Sequence, residues 1–174
     1  MRKRKNIITI AIDSPAAAGA GTQAKLISKN YNLFHLDTGK IYRYIGMLKL
    51  KNKKKFSYSM VKYKMDNIKF RYLRNKSLLS NDVALSAANI AKDKKIRNIV
   101  HKFQQKSAYQ PPKKYNGSVL DGRDIITVQL KDAMFKFFIT ASLKIRAERR
   151  FKEYKSLNKK IAYKEVLKSL RIRD

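Results

Sequence analysis

The stretch Ile7–Thr22, IITIAIDSPAAAGAGT, constrains this chain more than any other. Six mostly β-branched apolar residues run straight into small ones, and Gln23–Ile27 can then continue as helix. An unbroken apolar run of this kind is the pattern of a strand buried on both faces, as in a parallel sheet. A strand that breaks into a tight small-residue turn before a helix aims backbone N–H groups and the positive end of the helix dipole at one point. That point suits a phosphate.

The turn resembles a Walker A loop, G-x-x-x-x-G-K with a Gly-Thr tail. The candidate phosphate-binding residues are Ser14, Pro15, Ala16, Ala17, Ala18, Gly19, Ala20, Gly21 and Thr22. Two positions depart from the pattern: Ser14 stands at the first Gly and Ala20 stands at the Lys. The backbone donors remain, and the Thr22 hydroxyl can meet Mg²⁺ or a phosphate.

Further along, Leu33–Leu36 reads as a short strand, and Asp37-Thr38-Gly39 as a turn able to cap a helix. Ala24, Leu26 and Ile27 of the first helix are expected to face partly inward. Ile41, Ile45 and Leu48 recur at helical spacing, and Tyr58–Ile68 is a second amphipathic segment. Lys76–Asn81 is turn-like. Val83–Ala91 is rich in small residues, and Asp93 opens a helix carrying Ile96, Ile99, Val100 and Phe103. That helix must end before Pro111-Pro112. Ser118–Leu120 and Met134–Thr140 read as strands, Ser142 caps a helix bearing Arg146, Arg149 and Arg150, and Tyr163–Ile172 is the last helix. Strands alternating with helices predict a parallel sheet covered on both faces. Ligands of such sheets bind at the carboxyl ends of the strands, so Asp13, Asp37 and Asp121 should converge on one rim.

The length of 174 residues suits one domain. With no Cys and two His, the chain has no disulfide framework, thiolate zinc site or thiol nucleophile, and no basis for a multi-His metal site. The net charge of +30 points to an anionic partner, or to a Lys-rich bias spread over a solvated surface. Lys49–Lys55 is the one dense basic run and reads as a loop. Met1–Asn6 and the apolar run after it superficially resemble a secretory leader. The run is shorter than the usual ~7–15 apolar residues and Asp13 interrupts it. No segment approaches the ~18 apolar residues of a membrane span. A cytoplasmic monomer acting on small molecules is expected, with no membrane and no specific nucleic acid as partner.

Four segments in order then resemble the cytidylate kinase family: IAIDSPAAAGAGT, Leu36–Arg43 (LDTGKIYR), Leu120–Val128 (LDGRDIITV) and Ile139–Arg150 (ITASLKIRAERR). The resemblance implies a three-layer α/β P-loop nucleoside-triphosphate hydrolase-like fold, with a parallel sheet and helices on both faces. It implies a small acceptor-binding insert at about residues 40–110 and a partial lid at about 146–174. The implied reaction moves a phosphoryl group from ATP to CMP or dCMP, with Mg²⁺. The implied CMP-side residues are Asp37, Thr38, Gly39, Arg43, Arg97, Arg123, Asp124 and Arg173. Arg43, Arg97 and Arg123 would grip phosphate, and Asp124 would read the cytosine amino edge, as a carboxylate can. Arg146, Arg149 and Arg150 match lid residues that close on the phosphates and are the catalytic candidates. Thr22 and Asp121 are the Mg²⁺ candidates, although Asp121 can instead order the Arg cluster, and Asp37 can simply fix its turn.

The chain also departs from the family. A Ser that helps to read cytosine aligns with Ala88, and Ser86 is too far along to replace it. The chain stops at Arg173-Asp174, where the family continues through the lid to a final strand and helix, as though truncated. Adenylate and shikimate kinases fit less well, because neither shows DGRDxxTV. Three readings follow: a slow cytidylate-type kinase in which a lid Arg replaces the Lys, a nucleotide-binding pseudoenzyme, or a basic RNA-binding protein whose Tyr and Phe stack on bases.

Overall fold

The computed structural model describes residues 7–158 and 161–173, without the side chains of Asn81 and Arg173. The leader-like Met1–Asn6 and the terminal Asp174 lie outside these residues. The apolar run becomes β1 (Ile8–Asp13), the strand to which β3 (Gly117–Gly122) and β4 (Phe135–Phe138) pair on either side. β2 (Leu33–Asp37) pairs with β3, giving an all-parallel sheet in the order β2-β3-β1-β4. The register sets Ile12 opposite Asp121, Asp13 opposite Gly122 and Asp37 opposite Asp121. The three carboxylates therefore share the carboxyl rim of the sheet, as the strand endings require.

Strand alternation sends Ile10, Ile12, Leu33 and Val119 to one face, where Ala20 and Ala24 of α1 (Ala20–Asn30) complete a small apolar layer. Leu26 is not part of it and is 51 % exposed, because positions 20, 24 and 27 share a helical face that 26 does not. The other face carries Ala11, Leu36 and Leu120 under α2 (Thr38–Lys51), α3 (Tyr58–Asp66), α4 (Asn81–Ile90) and α5 (Lys94–Tyr109). Truncating a fully buried residue such as Ile12 or Leu120 to Ala would cost about 2–5 kcal/mol.

Helix starts follow local chemistry. Asp37, Ser57, Ser80, Asp93 and Ser142 each accept from an N–H two or three residues on, which satisfies donors that a helix start leaves free. The basic run Lys49–Lys55 is only half loop: α2 continues through Lys51, and cations suit its carboxyl end. Gly46 lets α2 meet α4 backbone to backbone, since a Cβ there would lie 2.9 Å from the Ala87 nitrogen. Two short 3-10 turns, Phe70–Arg74 and Lys76–Leu79, join α3 to α4.

α6 (Leu143–Ser156) and α7 (Tyr163–Arg173) form a separate apolar cluster around Ala147, Val166 and Leu170. Ala16 and Ala17 of the small-residue turn pack against it, so the arginine-bearing helix rests directly on the loop. β4 lies at the sheet margin and is exposed on both sides, with Phe138 69 % accessible. Among the described residues no helix is long and apolar enough to cross a membrane.

Candidate active site

The loop is tied to the sheet by the Ser14 N–H, which donates to the Gly122 carbonyl at 3.0 Å. Its turn is tight: the Ala18 N–H donates to the Pro15 carbonyl at 3.3 Å. Ala17 (φ 62°) and Gly19 (φ 103°) both take left-handed conformations. For Ala17 that costs roughly 1–2 kcal/mol, which the packing around it must offset. Among the described residues, the N–H groups of Gly19, Ala20 and Gly21 have no acceptor, so the turn presents a concave set of donors at the start of α1. Ala20 is buried and packs with Ile10, Ile12 and Ala24, so its position brings no charge to the loop. Lys25 does not replace it. That residue lines a cleft with Lys29, Phe34 and Arg74 beside β2, to which no loop residue contributes.

Guanidinium groups reach the loop from α6. Arg149 Nη1 donates to the Ala18 carbonyl at 2.9 Å and lies 3.4 Å from where a Cβ on Gly19 would be. Arg146 is buried, with Nε donating to the Ala141 carbonyl at 3.0 Å and Nη1 to the Ala16 carbonyl at 3.2 Å. Arg150 pairs with Glu153 at 3.0 Å and lies over the Tyr154 ring.

At the end of β3, the Asp121 carboxylate is held on one side by His35, Nε2 to Oδ1 2.6 Å. The Thr38 hydroxyl donates to its main-chain carbonyl at 2.8 Å. Its Oδ2 faces α1, 3.4 Å from the position a Cβ on Gly21 would take. Asp37 accepts from the Lys40 N–H at 3.2 Å and meets the Lys40 ammonium at 3.7 Å. Burial first, and the Asp121 charge second, push the Asp37 carboxyl above its usual 3.8. Among the described residues no three His, Asp or Glu side chains gather to hold a metal unaided. The donor set fits Mg²⁺ all the same, because that ion is commonly held by one or two protein oxygens together with substrate phosphates. Asp121 Oδ2, which faces Gly21, and the hydroxyl of the next residue in α1, Thr22, are the oxygens that would hold it.

On the opposite side of the rim, Arg43 is half-buried on α2 and donates through Nη1 to the Leu78 carbonyl at 2.8 Å. Burial, and then the nearby Arg150 charge, pull its pKa below the ordinary guanidinium value. Two cations on separate elements are thus near enough for one to feel the other's charge, an arrangement that favours an anion nearby. Arg97 forms an ion pair with Asp124, Nη2 to Oδ2 2.5 Å, and Asp124 Oδ1 has a long 3.5 Å contact with Gln129. Arg123 is exposed on the bend after β3, and Gly39 is exposed in the first turn of α2. Arg173 belongs to α7, but its side chain lies outside the described part. Ala88 is exposed on α4, while the Ser86 hydroxyl donates to the Gly46 carbonyl and is turned into the helix pair.

Three contributors were not evident from residue spacing. Asp13 accepts from the N–H groups of Ile125 (2.7 Å) and Ile126 (3.0 Å), and so caps the π-helical turn Ile125–Gln129 that carries Asp124. Tyr42 lies within the electrostatic reach of both Arg97 and Asp124, and burial pushes its hydroxyl pKa up. His35 reads as an ordinary strand residue. Asp13 carries the signal of its strand-end position, which marks the rim but not the partner, whereas no spacing marks His35 in the middle of β2 or Tyr42 on α2.

The cytidylate kinase family model matches residues 10–174. A cytidylate kinase of Clostridium botulinum (strain Hall) is 37 % identical over 178 residues, covering 96 % of this chain and 80 % of the relative. The cytidylate kinase of Bartonella tribocorum is 38 % identical over 167 residues, covering 95 % of this chain and 75 % of its own length. That of Caldicellulosiruptor saccharolyticus is 35 % identical over 182 residues, with 96 % and 78 % covered. By the match across almost its whole length, and by the loop, rim and arginine geometry above, the chain belongs to the cytidylate kinase family.

Proposed function

We propose that this chain transfers the terminal phosphoryl group of ATP to CMP or dCMP, with Arg149 in the electrostatic role of the absent Walker A ammonium. The observation that carries the reading is the guanidinium on the loop: Arg149 Nη1 sits 2.9 Å from the Ala18 carbonyl, beside the donors of Gly19, Ala20 and Gly21. Family membership supports nucleoside monophosphate phosphorylation as the reaction class.

In this reading the Ser14–Thr22 loop binds the ATP phosphates through its N–H groups and the helix dipole. Arg43 and Arg123 hold the acceptor phosphate, and Arg150, near Arg43, bridges the two ligands. An oxygen of the CMP phosphate attacks the terminal phosphorus of ATP, the bond from that phosphorus to the bridging oxygen breaks, and ADP leaves with the electron pair. Phosphoryl transfer asks the protein chiefly for alignment and positive charge, which fixed arginines supply. When bound, Mg²⁺ would add further charge neutralisation at the phosphates. Arg146, turned onto the Ala16 and Ala141 carbonyls, braces the loop beneath them. Asp124, oriented by Arg97, offers Oδ1 to the cytosine amine.

The test is ADP release from ATP and Mg²⁺ with CMP, dCMP, UMP or AMP as acceptor. Turnover with CMP or dCMP well above UMP and AMP is expected. Tight CMP binding with no ADP formed would favour a nucleotide-binding pseudoenzyme, the reading to which the buried Ala20 methyl lends weight. RNA affinity with a steep salt dependence and no nucleotide binding would overturn both.

A further inference from the structure

The α1 face of the sheet is apolar until its carboxyl end. Along β2, residues 33, 35 and 37 point to that face, and along β3, residues 119 and 121 do. Leu33 and Val119 fill the lower part, and two carboxylates, Asp37 and Asp121, then stand directly opposite each other. His35 lies one register pair below, opposite Val119, and reaches diagonally to Asp121 Oδ1 at 2.6 Å. Both side chains are largely shielded, 16 % and 12 % accessible.

Asp121 is thereby fixed at two points, which leaves one carboxylate oxygen free to be aimed. His35 takes Oδ1, the Thr38 hydroxyl takes the main-chain carbonyl, and the remaining Oδ2 is turned to the first turn of α1 beside Gly21. A carboxylate opposite a second carboxylate would otherwise rotate away from it, or recruit Lys40, which already contacts Asp37. The imidazole removes that freedom. We propose that His35 is a positioning residue that aims Asp121 Oδ2 at Thr22, and so sets how tightly the loop takes a divalent cation with its nucleotide. This rests on the nucleotide-binding reading of the loop. It goes beyond that reading in assigning the second partner of the carboxylate, a contact that typically changes metal affinity 10–100-fold when lost.

The experiment uses Mn²⁺ as the probe, with ATP, on the full chain and two variants. His35→Leu removes the donor and keeps an apolar strand residue. His35→Gln keeps an amide donor at about the reach of Nε2. The readout is the paramagnetic broadening of the Gly21 and Thr22 amide signals as Mn²⁺ is titrated, with metal-free ATP affinity and CMP affinity measured alongside. The expected result is a loss of Mn²⁺ affinity of about tenfold or more in His35→Leu, unchanged affinities for CMP and metal-free ATP, and near-complete recovery in His35→Gln. Equal Mn²⁺ affinity in all three proteins, with ATP still bound, overturns the positioning role alone. Failure of the unmodified chain to bind ATP at all overturns this inference together with the nucleotide reading. A His35→Leu protein that loses ATP, CMP and Mn²⁺ together, and is matched by His35→Gln, assigns His35 to folding and equally overturns the proposal.

Discussion

Arg149 and Ala18 are joined by a 2.9 Å hydrogen bond from a guanidinium Nη1 to a loop carbonyl, which fixes a positive charge over a turn that has no Lys of its own. The contact links α6 to the strand–turn–helix unit, and the apolar packing of Ala16 and Ala17 on the same helix pair reinforces it. Loop and arginines therefore form one unit. A guanidinium tied to the loop is already oriented before any phosphate arrives, whereas a free Lys side chain would have to be ordered on binding.

Gly19 marks the closest approach in that unit. Its φ of 103° is unfavourable for any L side chain, and a Cβ would lie 3.4 Å from Arg149 Nη1. Gly19→Ala should destabilise the fold by about 1–2 kcal/mol through backbone strain, and should weaken ATP binding more than CMP binding. Urea unfolding and nucleotide titration check the two parts separately.

Burial, and then the Arg150 charge, make the Arg43 guanidinium costlier to keep charged, so an anion placed beside it gains affinity. Arg43→Gln is expected to weaken CMP binding by about 10- to 100-fold, the ~1.5–3 kcal/mol of a hydrogen bond to a charged group. ATP affinity should stay within about twofold, the ordinary scatter of a distant substitution. Calorimetric titration of each nucleotide reads both.

Asp37 gives a pH dependence with a definite sign. Because burial and Asp121 raise its pKa in the folded protein, folding favours the protonated form. Its contribution to stability is present below the unfolded value of 3.8 and is lost as the pH rises through the folded value. Asp37→Asn cannot ionise and still caps α2, since Asn is an equally good N-cap. The variant should therefore be more stable than the parent at pH 7, with the difference closing as the pH approaches 3.8. Thermal unfolding across that range measures it.

What the sequence shows well is whatever local chemistry decides. The β-branched run at Ile7–Ile12 becomes the strand beside which β3 and β4 pair, and the caps at Asp37, Asp93 and Ser142 start their helices where expected. The convergence of Asp13, Asp37 and Asp121 follows from parallel strands ending together. Long-range partners are another matter. Nothing near Asp13 indicates that its carboxylate caps a π turn 112 residues away, and the His35–Asp121 pair spans 86 residues. Composition says nothing of burial at Met134–Thr140, which reads as a strand and yields β4 (Phe135–Phe138) exposed along its length, because position in the sheet decides burial. The family resemblance sets Arg146 among the phosphate-facing arginines, and no sequence signal shows that its Nε and Nη1 donate to the Ala141 and Ala16 carbonyls.

The replacement of an ammonium by a guanidinium is tested most directly by CMP-dependent ADP formation in a double-mutant cycle between Ala20→Lys and Arg149→Ala. Arg149→Ala alone should lower turnover by about 10²–10³-fold, the usual cost of removing one preorganised donor to transferring charge. Ala20→Lys alone should raise it, and Ala20→Lys combined with Arg149→Ala should recover most of the loss. Turnover that is indifferent to Arg149, or a double variant as slow as Arg149→Ala, would contradict the account.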